Sequence, residues 1–202
     1  ERRSAEHELD SYFNHAPAPW PASGTPQAAL ARDIISRSGI DRGLCLVLGL
    51  DDGRLAEALA AHGRLGVIAV DTDSRKVDSI RARLVASGHY GRRVTVRHIS
   101  SWDNPGLPGQ WANLVVSESL QVTGQLPCSA QQVHAQLRPD GGVAMIGQGP
   151  QASDQLSTDR LKTWLGSLTS QAKISGQGGR FATWTRGPLK GSAEWSHLYG
   201  RA

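Results

Sequence analysis

A glycine-flanked turn and a later aspartate have the residue types and the spacing of a ligand site. The turn is Gly49–Gly53, and Asp71 follows the next apolar run of the chain. Glycine lets the backbone approach a ligand closely, and the amides at a helix N-terminus favour an anionic group. A carboxylate at a strand end can accept hydrogen bonds from ribose hydroxyls. Together these residues predict a site for a nucleotide-type cofactor.

Regular elements on both sides of the turn are needed to bring these groups together. The apolar run Leu44–Leu48 predicts a buried strand, and an amphipathic helix is predicted between Gly53 and Gly63. A second buried strand, Val67–Val70, delivers Asp71. The order strand, turn, helix, strand places the turn and the carboxylate at the same edge of a parallel sheet.

The rest of the chain continues this alternation and ends in a hairpin. Further strands are predicted at 94–96, 112–116 and 143–146; helices are predicted from Thr25 to Gly39, after Thr72 with Val77, Ile80, Leu84 and Val85 inward, from Ser129 to Leu137, and around Leu156, Leu161, Trp164, Leu165 and Leu168. A hairpin is predicted from Lys173 to Arg186. We therefore expect an α/β fold, a Rossmann-like doubly wound and mainly parallel sheet of about seven strands with a C-terminal antiparallel hairpin.

Composition limits the classes of function. The 202 residues suit one α/β domain, and the net charge of +4 is scattered without the long basic block of a nucleic-acid face. No apolar run approaches the roughly 20 residues of a membrane span. Cys45 lies in a predicted strand and Cys128 in a loop, which gives neither a disulfide framework nor metal-ligand spacing. Cysteine usage leaves the compartment open.

Four segments along the chain resemble, in order, the motifs of one enzyme family. VLGLDDGRLAEAL resembles its glycine-rich motif and VIAVDTD its ribose-binding strand end; SSWDNPGLP resembles its adenine loop, and LRPDGGVAMI the turn before its fifth strand. The family is that of the S-adenosylmethionine-dependent methyltransferases, in which a terminal antiparallel hairpin is also typical. The resemblance covers about residues 26–186. It implies methyl transfer from S-adenosylmethionine to an acceptor that the sequence does not identify.

The resemblance also implies which residues contact the cofactor. They are Gly49, Leu50, Asp51, Asp52, Gly53, Asp71, Thr72, Trp102 and Asp103. In this interpretation Asp71 binds the ribose, Asp103 accepts from the adenine amino group, and Trp102 covers the ring. Simpler interpretations stay open: Asp71 could cap the following helix, for which Asp73 is the better candidate, and Trp102 could be core packing. A shifted register would put Ser101 in the place of Asp103.

Glu118 is the candidate for a catalytic residue. It closes the run NLVVSE at the end of the fourth strand, where an open α/β sheet borders its ligand crevice. A solvated strand-end glutamate is the alternative interpretation. The loops expected to select a substrate, at about 118–128 and 148–155, carry no recognisable acceptor motif.

Two departures from the family motif bear on activity. Val47 stands where these enzymes usually carry an acid, and Asp51 stands where they carry the middle glycine. The Asp51 charge could repel the cofactor's carboxylate or attract its ammonium and sulfonium. A non-catalytic scaffold or interaction module of the same fold therefore stays open beside the active enzyme. A nicotinamide-dependent oxidoreductase is disfavoured because the turn lacks G-x-G-x-x-G.

The C-terminal segment suggests a larger protein. WTRGPLKGSAEWSHLYGRA resembles a junction in large planctomycete-type bacterial proteins, where a methyltransferase-like domain precedes a β-propeller of the kind that binds pyrroloquinoline quinone. Glu194–His197 would begin that covalently linked propeller. We expect an arm or linker at 1–24, the methyltransferase-like domain at 25–187, and a linker at 188–202. An active enzyme is expected in the cytoplasm, and a piece of an exported protein outside it.

Overall fold

A computed structural model describes residues 17–20, 23–152, 156–189 and 191 of the chain. Most of the expected arm at 1–24 and of the linker at 188–202 lies outside the described residues, as does the propeller-like segment Glu194–His197. Among the described residues, no helix has both the length and the apolar character that crossing a membrane requires. The described ranges cover nearly all of the domain expected at 25–187.

The described residues form a seven-stranded sheet. Its strands are β1 (Arg42–Leu48), β2 (Arg64–Asp71), β3 (Val94–His98), β4 (Leu114–Ser117), β5 (Val143–Gln148), β6 (Lys173–Ser175) and β7 (Arg180–Thr185). They lie in the order β3-β2-β1-β4-β5-β7-β6, with β1 to β5 parallel and β7 antiparallel to both of its neighbours. The predicted mainly parallel sheet with a C-terminal antiparallel hairpin is confirmed. The strand order reverses between β1 and β4, which opens a crevice at their carboxyl ends.

Four of the six helices in the described part of the chain begin at a residue whose side chain caps the first amides. They are α1 (Pro26–Ser38), α2 (Arg54–His62), α3 (Ser74–Ala86), α4 (Leu120–Thr123), α5 (Ala130–Gln136) and α6 (Thr158–Leu165), and a 3₁₀ turn at Gly166–Ser170 follows α6. The side chains of Thr25, Asp73, Ser129 and Ser157 accept from amides of α1, α3, α5 and α6. Such caps stabilise a helix start by about 1 kcal/mol each.

Two hydrophobic clusters use alternate side chains of the central strand. Cys45 and Val47 of β1 belong to a cluster with residues of α1, α2 and α3. Leu46 and Leu48 belong to a second cluster with residues of α5 and α6. Successive side chains of a strand point to opposite faces, so a continuously apolar strand is one that is covered on both sides. The buried strands hold the turn and the carboxyl ends of β1, β2 and β4 in one rigid edge.

Two local predictions are wrong. Val85, expected to face inward, is 46% exposed, because the buried stripe of α3 ends at Leu84 and the next position lies about 100° further round the helix. Leu156 and Leu168 are buried as expected but lie outside α6, one before the helix and the other in the 3₁₀ turn. Neither difference affects the carboxyl edge of the sheet.

Candidate functional site

The turn Gly49–Gly53 runs from the end of β1 to the start of α2, and both of its glycines are required. The backbone is left-handed at each, with φ of 69° at Gly49 and 77° at Gly53, a region that other residues rarely adopt. A Cβ atom on Gly49 would collide with the Ser119 hydroxyl, and one on Gly53 would lie 2.7 Å from Ile80. The turn is therefore packed tightly against Ser119, which follows β4, and against Ile80 of α3.

The side chain of Glu118 lies directly on this turn. Glu118 follows β4, which pairs with β1, and its carboxylate accepts from the amides of Leu55 at 2.8 Å and Gly53 at 3.1 Å. The Asp51 amide makes a longer contact of 3.4 Å. Only 3% of Glu118 is exposed. A helix N-terminus leaves such amides unpaired, and the carboxyl group of Glu118 is the acceptor that satisfies them in this turn.

Burial dominates the proton affinity of Glu118. Removal from water raises the pKa of its carboxyl to about 8, and the carboxylates of Asp52 and Asp51 act in the same direction. The hydrogen bonds from the Leu55 and Asp51 amides lower the pKa but do not offset the burial. A carboxyl group that titrates near neutral pH has the proton affinity of a general acid or base.

Val47 explains why the acid beside the turn comes from another strand. Its side chain is fully buried in the first hydrophobic cluster, together with Leu50 and Leu55. A charged group at this position would lose its hydration in an apolar environment, which is costly without a partner. Val47 therefore contributes packing, and the carboxyl groups bonded to the turn amides belong to Glu118, which follows β4, and Asp71, which ends β2.

Asp71 is the last residue of β2 and lies at the same carboxyl edge of the sheet as the turn. Its carboxylate accepts from the Leu50 amide at 2.7 Å and from the Asp73 amide at 2.8 Å. Lys76 lies 3.5 Å from that carboxylate and donates to the Leu50 carbonyl at 2.7 Å. Asp71 is 6% exposed. The cap of α3 is Asp73, so the interpretation of Asp71 as the helix cap is wrong. Asp71 instead joins the turn to β2.

The predicted adenine loop begins close to Asp71, because the amide of Ile99, the residue before the loop, donates to the Asp71 carbonyl. Trp102 is half-buried against the second cluster, and its carbonyl accepts from Gln132. The Asp103 side chain is exposed, and its amide donates to the Ser101 hydroxyl at 3.1 Å. Thr72 is exposed. Asp103 and Ser101 are thus in contact with each other within the loop.

A cavity of about 450 Å³ lies beside the turn, between α1, the start of α4 and the loop after β5. Asp51 and Glu118 line it from the turn side, Asp33 from α1 and Pro150 from the loop. Cavities of this size hold small organic molecules. Asp51 lies in the turn, Glu118 is bonded to the turn amides, and both residues line the cavity. The turn and the cavity therefore form one candidate site.

Gln121 is a site residue that the sequence did not single out. Its side chain accepts from the Gly149 amide and donates to the Gly147 carbonyl, both at 2.7 Å. It thereby ties α4 to the loop after β5 and forms part of the cavity wall. A glutamine within an ordinary apolar helix pattern carries no sequence signal, because its partners come from a distant strand.

No metal site accompanies these residues in the described part of the chain. The described residues contain no group of three or more histidine, cysteine, aspartate or glutamate side chains placed to hold an ion.

Comparisons with known proteins identify the fold. No protein-family model matches the sequence, and no curated protein sequence matches it. A provisionally named S-adenosyl-L-methionine-dependent methyltransferase from Methanococcus maripaludis has a similar structure, with a TM-score of 0.68 and 18% identity over 94% of each chain. A SAM-dependent methyltransferase from Aquifex aeolicus has a TM-score of 0.57 at 13% identity, over 76% of this chain and 89% of that one.

A third similar structure is that of a [4+2]-cyclase, SpnF, with a TM-score of 0.50 and 17% identity over 79% of this chain and 62% of that one. These comparisons show that the chain has the methyltransferase fold. They do not select a reaction, because a fold hosts several chemistries and the residues of the site decide among them.

Proposed function

We propose that this chain is an S-adenosylmethionine-binding domain that transfers a methyl group to an acceptor in the adjacent cavity. The observation that carries the proposal is the 2.7 Å hydrogen bond from the Leu50 amide to the Asp71 carboxylate. It joins the glycine turn after β1 to the acid that ends β2, beside a cavity of about 450 Å³. Each carboxylate oxygen can accept more than one hydrogen bond, so Asp71 retains acceptor capacity for ribose hydroxyls.

The residues around the turn fit the cationic part of this cofactor. The Gly53 and Leu55 amides are held by Glu118 and do not offer a site for an anion. The Asp51 carboxylate is exposed and has no hydrogen-bond or ion-pair partner within the described ranges. The charge of Asp51 therefore favours a cationic ligand over an anionic one on this side of the turn. Trp102 and Asp103 would contact the adenine, with Ser101 as the alternative to Asp103.

The protein's own part in such a reaction is positioning and proton handling. S-adenosylmethionine supplies an already activated methyl group when it is bound. The cavity wall would orient the acceptor and exclude water. Holding two reactants close together in the correct orientation accelerates their reaction. Glu118 lines the cavity and burial raises its pKa to about 8, so its carboxyl group would take a proton from the acceptor only in its deprotonated form, which becomes the major form above about pH 8.

Calorimetric titration with S-adenosylmethionine and its demethylated product tests the proposal. We expect binding in the micromolar range or tighter, equivalent to about 8 kcal/mol. Asp71→Asn, which keeps one oxygen for the Leu50 or Asp73 amide, should weaken binding about tenfold through the lost charge-assisted hydrogen bonds. Asp78→Asn is the matched control, since Asp78 is an exposed carboxylate of α3 that pairs with Arg81.

The result against the proposal would be no heat of binding from either ligand at millimolar concentration. Equal weakening by Asp71→Asn and Asp78→Asn would reject the ribose assignment alone. For the adenine loop, Asp103→Asn and Ser101→Ala form a pair, and the larger loss of affinity identifies the correct register.

A second function, a non-catalytic interaction module, is supported by a specific observation. Glu118 already occupies the amides of the glycine turn, and Asp51 fills the position of the middle glycine. If wild type binds no cofactor but Asp51→Gly does, the domain is a repurposed copy of an enzyme. If neither binds, the scaffold function replaces our proposal.

We also propose that the segment 188–202 leads into a β-propeller domain. Its resemblance to the propeller junction supports this, and Glu194–His197 would begin the first blade. The test is the reading frame downstream of the codon for Ala202. Repeated propeller-blade sequences would support the proposal, and an immediate stop codon would reject it.

A further inference from the structure

The ionisable side chains among the described residues that line the cavity beside the turn are all carboxyl groups. They belong to Asp33, Asp51 and Glu118, and none of the described lining residues is lysine, arginine or histidine. Two of the carboxylates are engaged, since Asp33 pairs with Arg37 at 3.0 Å and Glu118 holds backbone amides. Asp51 keeps a carboxylate without a partner in the described chain. An anionic ligand would be repelled here, and a cation would be attracted.

The remainder of the cavity wall is mostly apolar. Leu30 of α1, Leu55 of α2 and Pro150 of the loop after β5 are among its lining residues. Apolar surface of this kind gains free energy by removing a hydrocarbon from water. The ligand that matches both properties is an amphipathic molecule with one positive group and an apolar body.

The type of positive group follows from which side chains are near it. No phenylalanine, tyrosine or tryptophan is among the described residues that line the cavity, although aromatic rings are the usual means of binding a quaternary ammonium. The wall instead offers hydrogen-bond acceptors, namely the Asp51 carboxylate and the side-chain amides of Gln27 and Gln151. An amine that carries N–H donors can use these acceptors, and a quaternary ammonium cannot.

We propose that this cavity binds an apolar molecule bearing a primary or secondary amine, with the nitrogen at Asp51. This amine is the methyl acceptor, and that part of the inference rests on the proposed function. The ammonium first loses one proton to Glu118 or to water, which frees a lone pair. The N–C bond then forms while the S–C bond of the donor breaks, the sulfur leaves as a neutral thioether, and the nitrogen becomes a methylated ammonium.

Binding of matched probes to the full chain, without cofactor, tests the inference. The probes are 4-phenylbutylamine, 4-phenylbutanol, 4-phenylbutyrate and the trimethylated form of the amine, titrated by calorimetry at neutral pH. We expect the primary amine to bind about tenfold tighter than the alcohol, the carboxylate to bind weakest, and the trimethylated form to bind less tightly than the amine.

Variants in which a single carboxylate is replaced by its amide locate the nitrogen. Asp51→Asn should weaken binding of the amine about five- to tenfold and leave the alcohol unchanged, a loss in the range of a partly exposed ion pair. Asp78 is an exposed residue of α3, and Asp78→Asn should change the affinity for neither the amine nor the alcohol. Circular dichroism of both variants shows whether they are folded. Asp33→Asn should have a smaller effect than Asp51→Asn, because Asp33 already pairs with Arg37.

Three results would overturn the inference: equal affinity for amine and alcohol, tightest binding of the trimethylated form, or equal effects of Asp51→Asn and Asp78→Asn. The proposed function has its own measurement in the cofactor titration. Selective amine binding without cofactor binding would keep the amine site and remove methyl transfer. Cofactor binding without amine preference would remove only the amine site.

Discussion

The carboxylate of Glu118 holds backbone amides that lie 63 to 67 residues earlier in the chain. Such an arrangement costs free energy through burial of an ionisable group and regains it through hydrogen bonds to the start of α2. The balance favours the protonated form, since burial raises the pKa of Glu118 to about 8. At the scale of single residues, Glu118 is therefore expected to affect both the stability of the domain and the proton chemistry of the site.

Glu118→Gln should change how stability depends on pH. The pKa of the folded carboxyl is about 8 and its ordinary value is 4.5, so between these values the folded state keeps a proton that the unfolded chain has released. The stability of wild type therefore falls as pH rises through this window, by up to roughly 1 kcal/mol per pH unit from this group. Glutamine cannot titrate, so the variant should lack this decrease.

Urea unfolding of both proteins at pH 5, 6.5 and 8 measures the effect. The Glu118→Gln variant should gain stability relative to wild type as pH rises. Burial also raises the pKa of Glu57, but Glu57 contributes equally to both proteins and cancels in the difference. Parallel pH profiles would show that Glu118 titrates outside this range.

The glycine turn is the element that depends most on one residue type. Gly49 and Gly39 have nearly the same φ, 69° and 70°, but differ in their surroundings. A Cβ atom on Gly39 would meet nothing within 4 Å, whereas one on Gly49 would collide with Ser119. The two positions therefore separate the cost of the left-handed backbone from the cost of the close approach.

Gly39→Ala should lower the free energy of unfolding by about 1–2 kcal/mol, the cost of the left-handed conformation alone. Gly49→Ala should lower it by about 2 kcal/mol more, as expected for overpacking in a buried region. Chemical denaturation measures both values. Addition of Ser119→Ala to Gly49→Ala should recover part of the loss. Equal costs at the two glycines would mean that the turn can move away from β4.

At the scale of the whole molecule, the C-terminal hairpin completes the sheet. β7 pairs with β5 from Val143 to Gln148, and its Phe181 and Trp184 are buried in different clusters. Trp184 also packs edge-on against Trp164, with ring centroids 6.0 Å apart. The hairpin is thus part of the core of the domain.

Trp184→Ala should lower the free energy of unfolding by about 3–5 kcal/mol, the usual cost of removing a buried aromatic side chain. Trp164→Ala is the control and should cost less, because Trp164 is only partly buried. Urea titration followed by circular dichroism gives both values independently of tryptophan fluorescence. A small effect of Trp184→Ala would show that the domain is stable without a packed hairpin.

Much of the architecture was predictable from the sequence because it depends on local patterns. Continuous apolar runs such as Leu44–Leu48 predict strands covered on both faces. The caps at Thr25 and Asp73, and the glycines 176 to 179 in the hairpin, mark element ends through short-range chemistry. Val85 was predicted wrongly because the choice between neighbouring positions on a helix depends on how the helix is rotated against the sheet.

The candidate site was predictable only in part. The sequence by itself determined that Gly49–Gly53 and Asp71 end adjacent strands, since a parallel sheet brings successive carboxyl ends to one edge. Only the tertiary structure showed that Glu118 accepts hydrogen bonds from the turn amides and that Gln121 is bonded to the loop after β5. It also revealed the cavity that Asp51 lines. Contacts of this kind depend on which strands are neighbours. The pairing of β4 with β1 is decided by packing of the whole sheet, and no local pattern of residues records it.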